Sequence, residues 1–484
     1  MVNLGNSGLC CIGLTLALHG KVHLRGSQAY SDSVSSYYAQ QASSVQPLCI
    51  VKPTQTTDVA NAIKLISLAS LLLPSADKAQ CHFAVRSGGH ASIGNAANIA
   101  NGVTIDLSGL KTISVASNGV TSVGPGATWD EVYEALEPAG LSVAGGRNAG
   151  VGVGGLTTGG GISFFSPRKG WTADTVTNYE VVLADGRVVN ANSNVNPDLH
   201  WALRGGSNNF GVVTRIDLQA FEQGQLWGGM SFYDADQTID AHIEALAEFS
   251  DAATYDEYSS LITSFVLQPG QPPAVATNLE YTKPVVNPAS VQGITSIPSL
   301  FSSMRLASMS ELADELASLQ PYGLRQLSAT LTHKATVPML NATWQRWSDS
   351  VASVQSIPDL AWSLSLEPLP PAIYAQGGAN SNALGLDDRT DSLVVTVLNA
   401  AWGSAADDAT VNAAARSLID SLISDAQDLD AYDPFIYLNY AASWQDPIAS
   451  YGSANVARLR RVRARYDPLK LFTKNVPGGF KLGD

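Results

Sequence analysis

A chain of 484 residues, 45% hydrophobic and only 14% charged, can bury a sizeable core and is too apolar for disorder. Lys plus Arg number 28 against 42 Asp plus Glu, a formal net charge of -14, and an acidic surface repels phosphate backbones, so no nucleic-acid partner is expected. No uninterrupted apolar run reaches bilayer length, so no membrane partner is expected either.

Residues 1–46 read as an N-terminal arm. Its stretch LCCIGLTLALHG suits a short signal h-region or a short amphipathic helix about equally, since no Lys or Arg precedes it and no small-residue cleavage site follows cleanly. Cys10, Cys11, Cys49 and Cys81 are the only cysteines, with neither C-x-x-C nor zinc spacing, so no metal site is expected. One or two disulfides in an oxidising compartment and buried thiols in an intracellular protein both fit; three pairings are open. A secretory location is slightly favoured, with the cytoplasm as the alternative. The sequon Asn341-Ala342-Thr343 decides nothing.

Residues 47–221 show short strands and tight turns. CIVKP and HFAVR read as buried strands around a helix from Thr57 to about Leu72. VTIDLSGL and TISVASNGVTSVGPG read as hairpin material. TWDEVYEALEPAG has helix spacing, with Thr128 as N-cap and Gly140 as C′ residue. EVVLADGRVVNA alternates around Asp185-Gly186, a hairpin signal. Residues 222–433 read as a second unit: strand-like SSLITSFVLQP, PAVATNLEYTKP, RQLSATLTHK and DSLVVTVLNAAW alternate with helical SMSELADELASLQ and TVNAAARSLIDSLISDAQDL. Residues 434–484 form a C-terminal segment returning to the first unit. There FIYLNY reads as a strand or extended segment, and NVARLRRVRARY as a basic helix whose arginines (Arg458, Arg460, Arg461, Arg463, Arg465) make a solvated face.

The 42 glycines are clustered. RSGGHAS, residues 86–92, follows a strand and can expose consecutive N–H groups as an anion nest, or be an ordinary turn. GGRNAGVGVGGLTTGGG, residues 145–161, is neither a Rossmann fingerprint nor a P-loop. Its density implies backbone packed against something flat or charged. WALRGGSNNFGVVT, residues 201–214, suggests a turn feeding a strand whose edge could hold a ring.

Together with YLNY and YDPLKLFTKNVPGGFKL, these segments resemble the berberine-bridge-enzyme-like FAD-linked oxidases of fungi, in the vanillyl-alcohol-oxidase and p-cresol-methylhydroxylase superfamily. The resemblance runs from about Cys49 to the end. It implies an α+β fold: a two-part FAD-binding domain of the p-cresol-methylhydroxylase type, plus an α+β substrate domain whose antiparallel sheet is backed by helices. It implies that Arg86, Ser87, Gly88, Gly89 and Ala91 wrap the FAD pyrophosphate and that His90 bonds covalently to the 8α carbon. Relatives with a second link carry a cysteine near Asn148, so a single link is expected here. Val151, Gly154, Gly155, Thr158, Gly159, Gly160, Gly161 and Ile162 would lie along the cofactor. Gly211, Val212 and Val213 would touch its adenine side. Leu156 stands where plant relatives often have a polar residue, so no rule for oxygen reactivity transfers.

The resemblance makes Tyr437 the candidate base, or else a structural aromatic, and Asn439 a flavin or substrate contact. A phenol needs a shifted pKa for that work, and sequence shows no cation nearby. Glu367, Gln376, His333 and Asn399 are rival polar groups. Tyr255, Tyr258, Trp362, Tyr374 and Trp402 mildly favour a hydrophobic small molecule. The implied activity is hydride transfer from a small organic substrate, a secondary-metabolite intermediate, to flavin N5, with dioxygen reoxidising the flavin to yield peroxide. The alternative is a flavin-binding cyclase, pericyclase or dehydratase with no net oxidation; a non-catalytic flavin protein ranks last. A monomer is expected.

Overall fold

The computed structural model describes residues 8–73 and 78–483. Three strands, Cys49–Val51, Val103–Asp106 and Phe83–Arg86, lie parallel in that spatial order, and Val22–Leu24 pairs antiparallel with the first of them. Residues of the expected arm are thus part of the sheet. The helix Thr56–Leu72 connects two of the parallel strands and buries Val59, Ile63 and Ile66. VTIDL does not form a hairpin: all four strand residues, the polar Thr104 and Asp106 included, are buried between parallel neighbours.

The stretch around Cys10 forms the helix Gly8–Ala17, with Cys10, Cys11 and Leu14 buried. Disulfides Cys10–Cys81 and Cys11–Cys49 fasten it to the sheet and leave no free thiol. Removing Cys11–Cys49 by paired alanine substitution is expected to cost about 2–4 kcal/mol, because a closed loop restricts the unfolded chain. A lowered midpoint in chemical denaturation checks this.

A five-stranded antiparallel sheet follows. It contains the hairpin Ile113–Val115/Val120–Val123 and the hairpin Val176–Val182/Val188–Asn192 around Asp185-Gly186. Thr128 caps the helix Trp129–Leu136 in a capping box with Glu131, and Gly140 takes φ +66° just beyond it.

The largest sheet has nine strands. Its long strands run antiparallel in the spatial order Leu226–Asp234, Ala274–Tyr281, Ser259–Leu267, Ala361–Leu369, Leu393–Trp402, Arg325–Lys334. Helices Ala235–Phe249, Val337–Val354 and Asp408–Asp428 pack on one face through a shared core with Trp347, Trp362 and Trp402. Residues alternate between faces along a strand, so the other face is left for a different partner.

FIYLNY is not a strand. Leu438–Tyr440 is a single 3-10 turn. Residues i and i+3 eclipse in that geometry, which sets Tyr437 and Tyr440 side by side, ring centroids 4.8 Å apart. The basic helix Ser453–Tyr466 is only partly solvated: Arg458 lies 3.7 Å over the Trp201 ring, and Arg463 is buried and donates to the Leu482 carbonyl at 2.7 Å. No described helix is long and apolar enough to cross a membrane.

Candidate active site

A cavity of about 810 Å³ lies between the glycine loops and the free face of the nine-stranded sheet. From the loops come Ser87, Gly88, Gly89, His90, Ala91, Asn148, Val151, Gly154, Gly155, Thr158, Ile162, Gly211, Val212 and Val213; Tyr437 and Asn439 also line it. All of these are among the expected site residues.

Gly152, not among them, explains the first loop. A Cβ on Gly88 would sit 2.6 Å from the Gly152 Cα and nitrogen, and a Cβ on Gly152 would sit 2.2 Å from the Gly88 nitrogen. Two backbone segments cross here without side chains. Ser87 Oγ accepts from the Gly154 N–H at 3.1 Å and donates to the Pro125 carbonyl, locking the crossing.

The remaining expected residues stand differently. The Arg86 guanidinium turns away from the cavity: Nη1 donates to the Ser33 carbonyl, Nη2 to the Ser36 carbonyl at 3.0 Å, and the group covers the Tyr37 ring. Gly159, Gly160 and Gly161 do not line the cavity. They are held from behind: Gly159 abuts the Asn439 side chain, and the Gly161 N–H donates to the Tyr437 hydroxyl at 3.0 Å. Asn439 Nδ2 donates to the Leu156 carbonyl at 3.0 Å and to the Tyr437 hydroxyl at 2.9 Å. Both amide hydrogens of Asn439 are therefore spent on the protein. Tyr437 is 1% exposed, its oxygen receives two N–H donors, and burial pushes its phenol above the ordinary range. It fastens a loop. The five aromatics of the second unit do not reach the cavity; Trp362 and Trp402 are fully buried core. His333 is buried against Thr396 Oγ1, and Gln376 bonds the Arg168 carbonyl, both outside the cavity; Asn399 does line it.

The charged centre is a trio that sequence reasoning did not assemble. Arg147 Nη2 donates to Glu367 Oε2 and to the Tyr440 hydroxyl, each at 2.7 Å, and that hydroxyl donates to Glu367 at 3.1 Å. Arg147 and Glu367 are 8% and 5% exposed. All three line the cavity. Burial drives the Tyr440 phenol well up, Arg147 opposes this, and Glu367 adds to it. Glu280 is fully buried nearby, and burial pushes its carboxyl far above the usual range.

His90 lines the same cavity. Burial lowers its imidazole to about 4, leaving a neutral ring near pH 7. Asn148 Nδ2 is buried without a hydrogen-bond partner among the described residues.

Family models match at residues 47–192, an FAD binding domain, and at 436–477, a segment termed berberine and berberine like. The FAD-dependent monooxygenase tpcD of Cochliobolus heterostrophus is 38% identical over 93% of this chain and 88% of its own length. The chain belongs to the berberine-bridge-enzyme-like family of FAD-dependent oxidoreductases. It is also 40% identical to a protein of Diaporthe leptostromiformis named oligopeptidase PhomG′, of which it spans 36%. Xylooligosaccharide oxidase of Myceliophthora thermophila has the same fold, with 20% identity, a TM-score of 0.79 and coverage of 98% of both chains. FAD fits what this oxidoreductase presents: a side-chain-free backbone crossing suited to a pyrophosphate, a cavity of dinucleotide size, and an orphaned amide at Asn148.

Proposed function

We propose that this chain is an oxidase of a small, uncharged, hydroxyl-bearing organic molecule, a secondary-metabolite intermediate, and that Tyr440 rather than Tyr437 is its base. The observation that carries this is the Arg147–Glu367–Tyr440 trio, set where the sheet face meets the glycine loops. Residues 47–221 and 434–484 hold FAD, and 222–433 supply the substrate face. Ser87 to Ala91, Asn148, Val151 to Thr158 and Gly211 to Val213 would hold the cofactor, with His90 as its single covalent link. Bound FAD supplies the hydride acceptor and passes the electrons to dioxygen.

The chain's own groups do the rest. Tyr440 takes the proton of a substrate hydroxyl while Arg147 stabilises the negative oxygen that results. The sheet face offers hydroxyls and amides at Ser264, Ser365, Ser363, Asn399 and Asn278, interspersed with Ile262, Val266 and Phe232. Arg147 and Glu367 cancel in charge, which favours a neutral substrate. The two disulfides support an oxidising compartment.

The test is anaerobic bleaching of the flavin by a metabolite panel, followed by aeration. Bleaching by neutral hydroxylated compounds, with peroxide formed in proportion to product, is expected. Oxygen atoms from dioxygen in the product would mark a monooxygenase. Turnover without bleaching would mark a redox-neutral cyclase. Either result would overturn the oxidase reading.

A further inference from the structure

His90 sits at the meeting of three segments that are far apart in sequence. Its ring lies face to face with Tyr38, centroids 3.9 Å apart and planes 7° apart. Tyr322 presents an edge to both rings, at 5.8 Å from His90 and 5.3 Å from Tyr38. Tyr38 belongs to the expected N-terminal arm, His90 to the first glycine loop, and Tyr322 to the turn after the helix Met309–Ser318. Backbone bonds hold the junction: Tyr38 N–H donates to the Gly89 carbonyl at 3.1 Å, Gly323 N–H to the Tyr38 carbonyl at 3.2 Å, and Gln40 N–H to the Leu324 carbonyl at 2.8 Å. Just beyond, Gln41 and Gln326 exchange two bonds, at 2.8 and 3.0 Å. Tyr38 and His90 both line the cavity.

From this geometry we propose that Tyr38, backed by Tyr322, is a positioning residue for flavin attachment: it fixes the His90 imidazole plane so that a ring nitrogen is presented to the cofactor's 8α carbon. The inference rests on the reading that His90 carries the link. A free histidine turns about two side-chain torsions, and a parallel stacked ring removes most of that freedom before the bond forms. The neutral state of the buried ring keeps a lone pair available. The attachment balances simply. The 8α methyl loses one hydrogen, the imidazole loses its N–H hydrogen, a C–N bond replaces a C–H bond, and dioxygen takes both hydrogens with two electrons to become hydrogen peroxide. The arm thereby gains a function beyond sheet pairing.

The experiment compares isolated wild-type protein with Tyr38→Leu, Tyr38→Phe and Tyr322→Leu. Total flavin is read by visible absorbance, and covalent flavin by what stays with the polypeptide after acid precipitation. Tyr38→Leu is expected to retain total flavin while its covalent fraction falls about tenfold. Tyr38→Phe, which keeps the ring, should restore it, and Tyr322→Leu should fall in between. A wild-type covalent fraction in Tyr38→Leu would overturn the proposal. So would parallel loss of total and covalent flavin in both leucine variants without rescue by phenylalanine. Absence of covalent flavin from wild type, or its survival in His90→Ala, would instead bring down the His90 reading itself and the inference with it.

Discussion

Tyr440→Phe should slow anaerobic reduction of the flavin by substrate about 10²–10⁴-fold, the usual worth of a positioned proton acceptor. The same change at Tyr437 should cost no more than about tenfold, because only a tether is lost. The two tyrosines stand three positions apart in one 3-10 turn and both line the cavity, so proximity does not separate them. Their oxygens do. Tyr437 receives N–H groups from Gly161 and Asn439 and has no cation bonded to it. Tyr440 receives a hydrogen bond from the Arg147 guanidinium and gives its own proton toward Glu367. A charged donor at 2.7 Å favours the phenolate against the upward push of burial and of Glu367. Stopped-flow traces of the two variants decide the matter: a normal rate in Tyr440→Phe with a collapse in Tyr437→Phe would return the role to Tyr437.

What could be read from the chain, and what could not, follows from how far apart the interacting residues lie. Thr128 announces a helix start because an N-cap acts within one turn, and Asp185-Gly186 announces a hairpin turn for the same local reason. Tyr38 and His90 carried no such signal, nor did Arg147 with its partners, which lie 220 and 293 positions away. Arg147 stands inside the second glycine cluster, and no residue near it in sequence marks it as half of an ion pair. The glycines were also less uniform than their clustering suggested. Gly145 and Gly146 are flat against the Trp129 indole, where a Cβ would come within 2.2 and 2.6 Å of ring carbons, so their flat partner is the protein itself. Gly88 and Gly152 meet each other. FIYLNY reads as a strand or extended segment, and its extended backbone at Tyr437 runs into a 3-10 turn that groups the tyrosines by a period of three.

Arg147→Met is expected to destabilise the protein by about 3–5 kcal/mol, since it leaves the Glu367 carboxylate buried without its counter-charge. Chemical denaturation measures this. Adding Glu367→Gln to Arg147→Met should recover most of the loss, because the second change removes the stranded charge and the two sites cannot act independently. A double variant as unstable as the sum of the singles would mean that packing, not charge, sets the cost. The catalytic consequence has a sign that packing does not predict. Arg147 pulls the Tyr440 phenol down and Glu367 pushes it up. A base works only when deprotonated, so its pKa sets the acid limb of the rate profile for flavin reduction. Arg147→Met should therefore move that limb to higher pH, and Glu367→Gln should move it to lower pH. Opposite displacements from the two halves of one ion pair would tie the limb to the tyrosine pair that Arg147 and Glu367 both bias, Tyr440 and Tyr437; equal displacements in one direction would show that another group titrates.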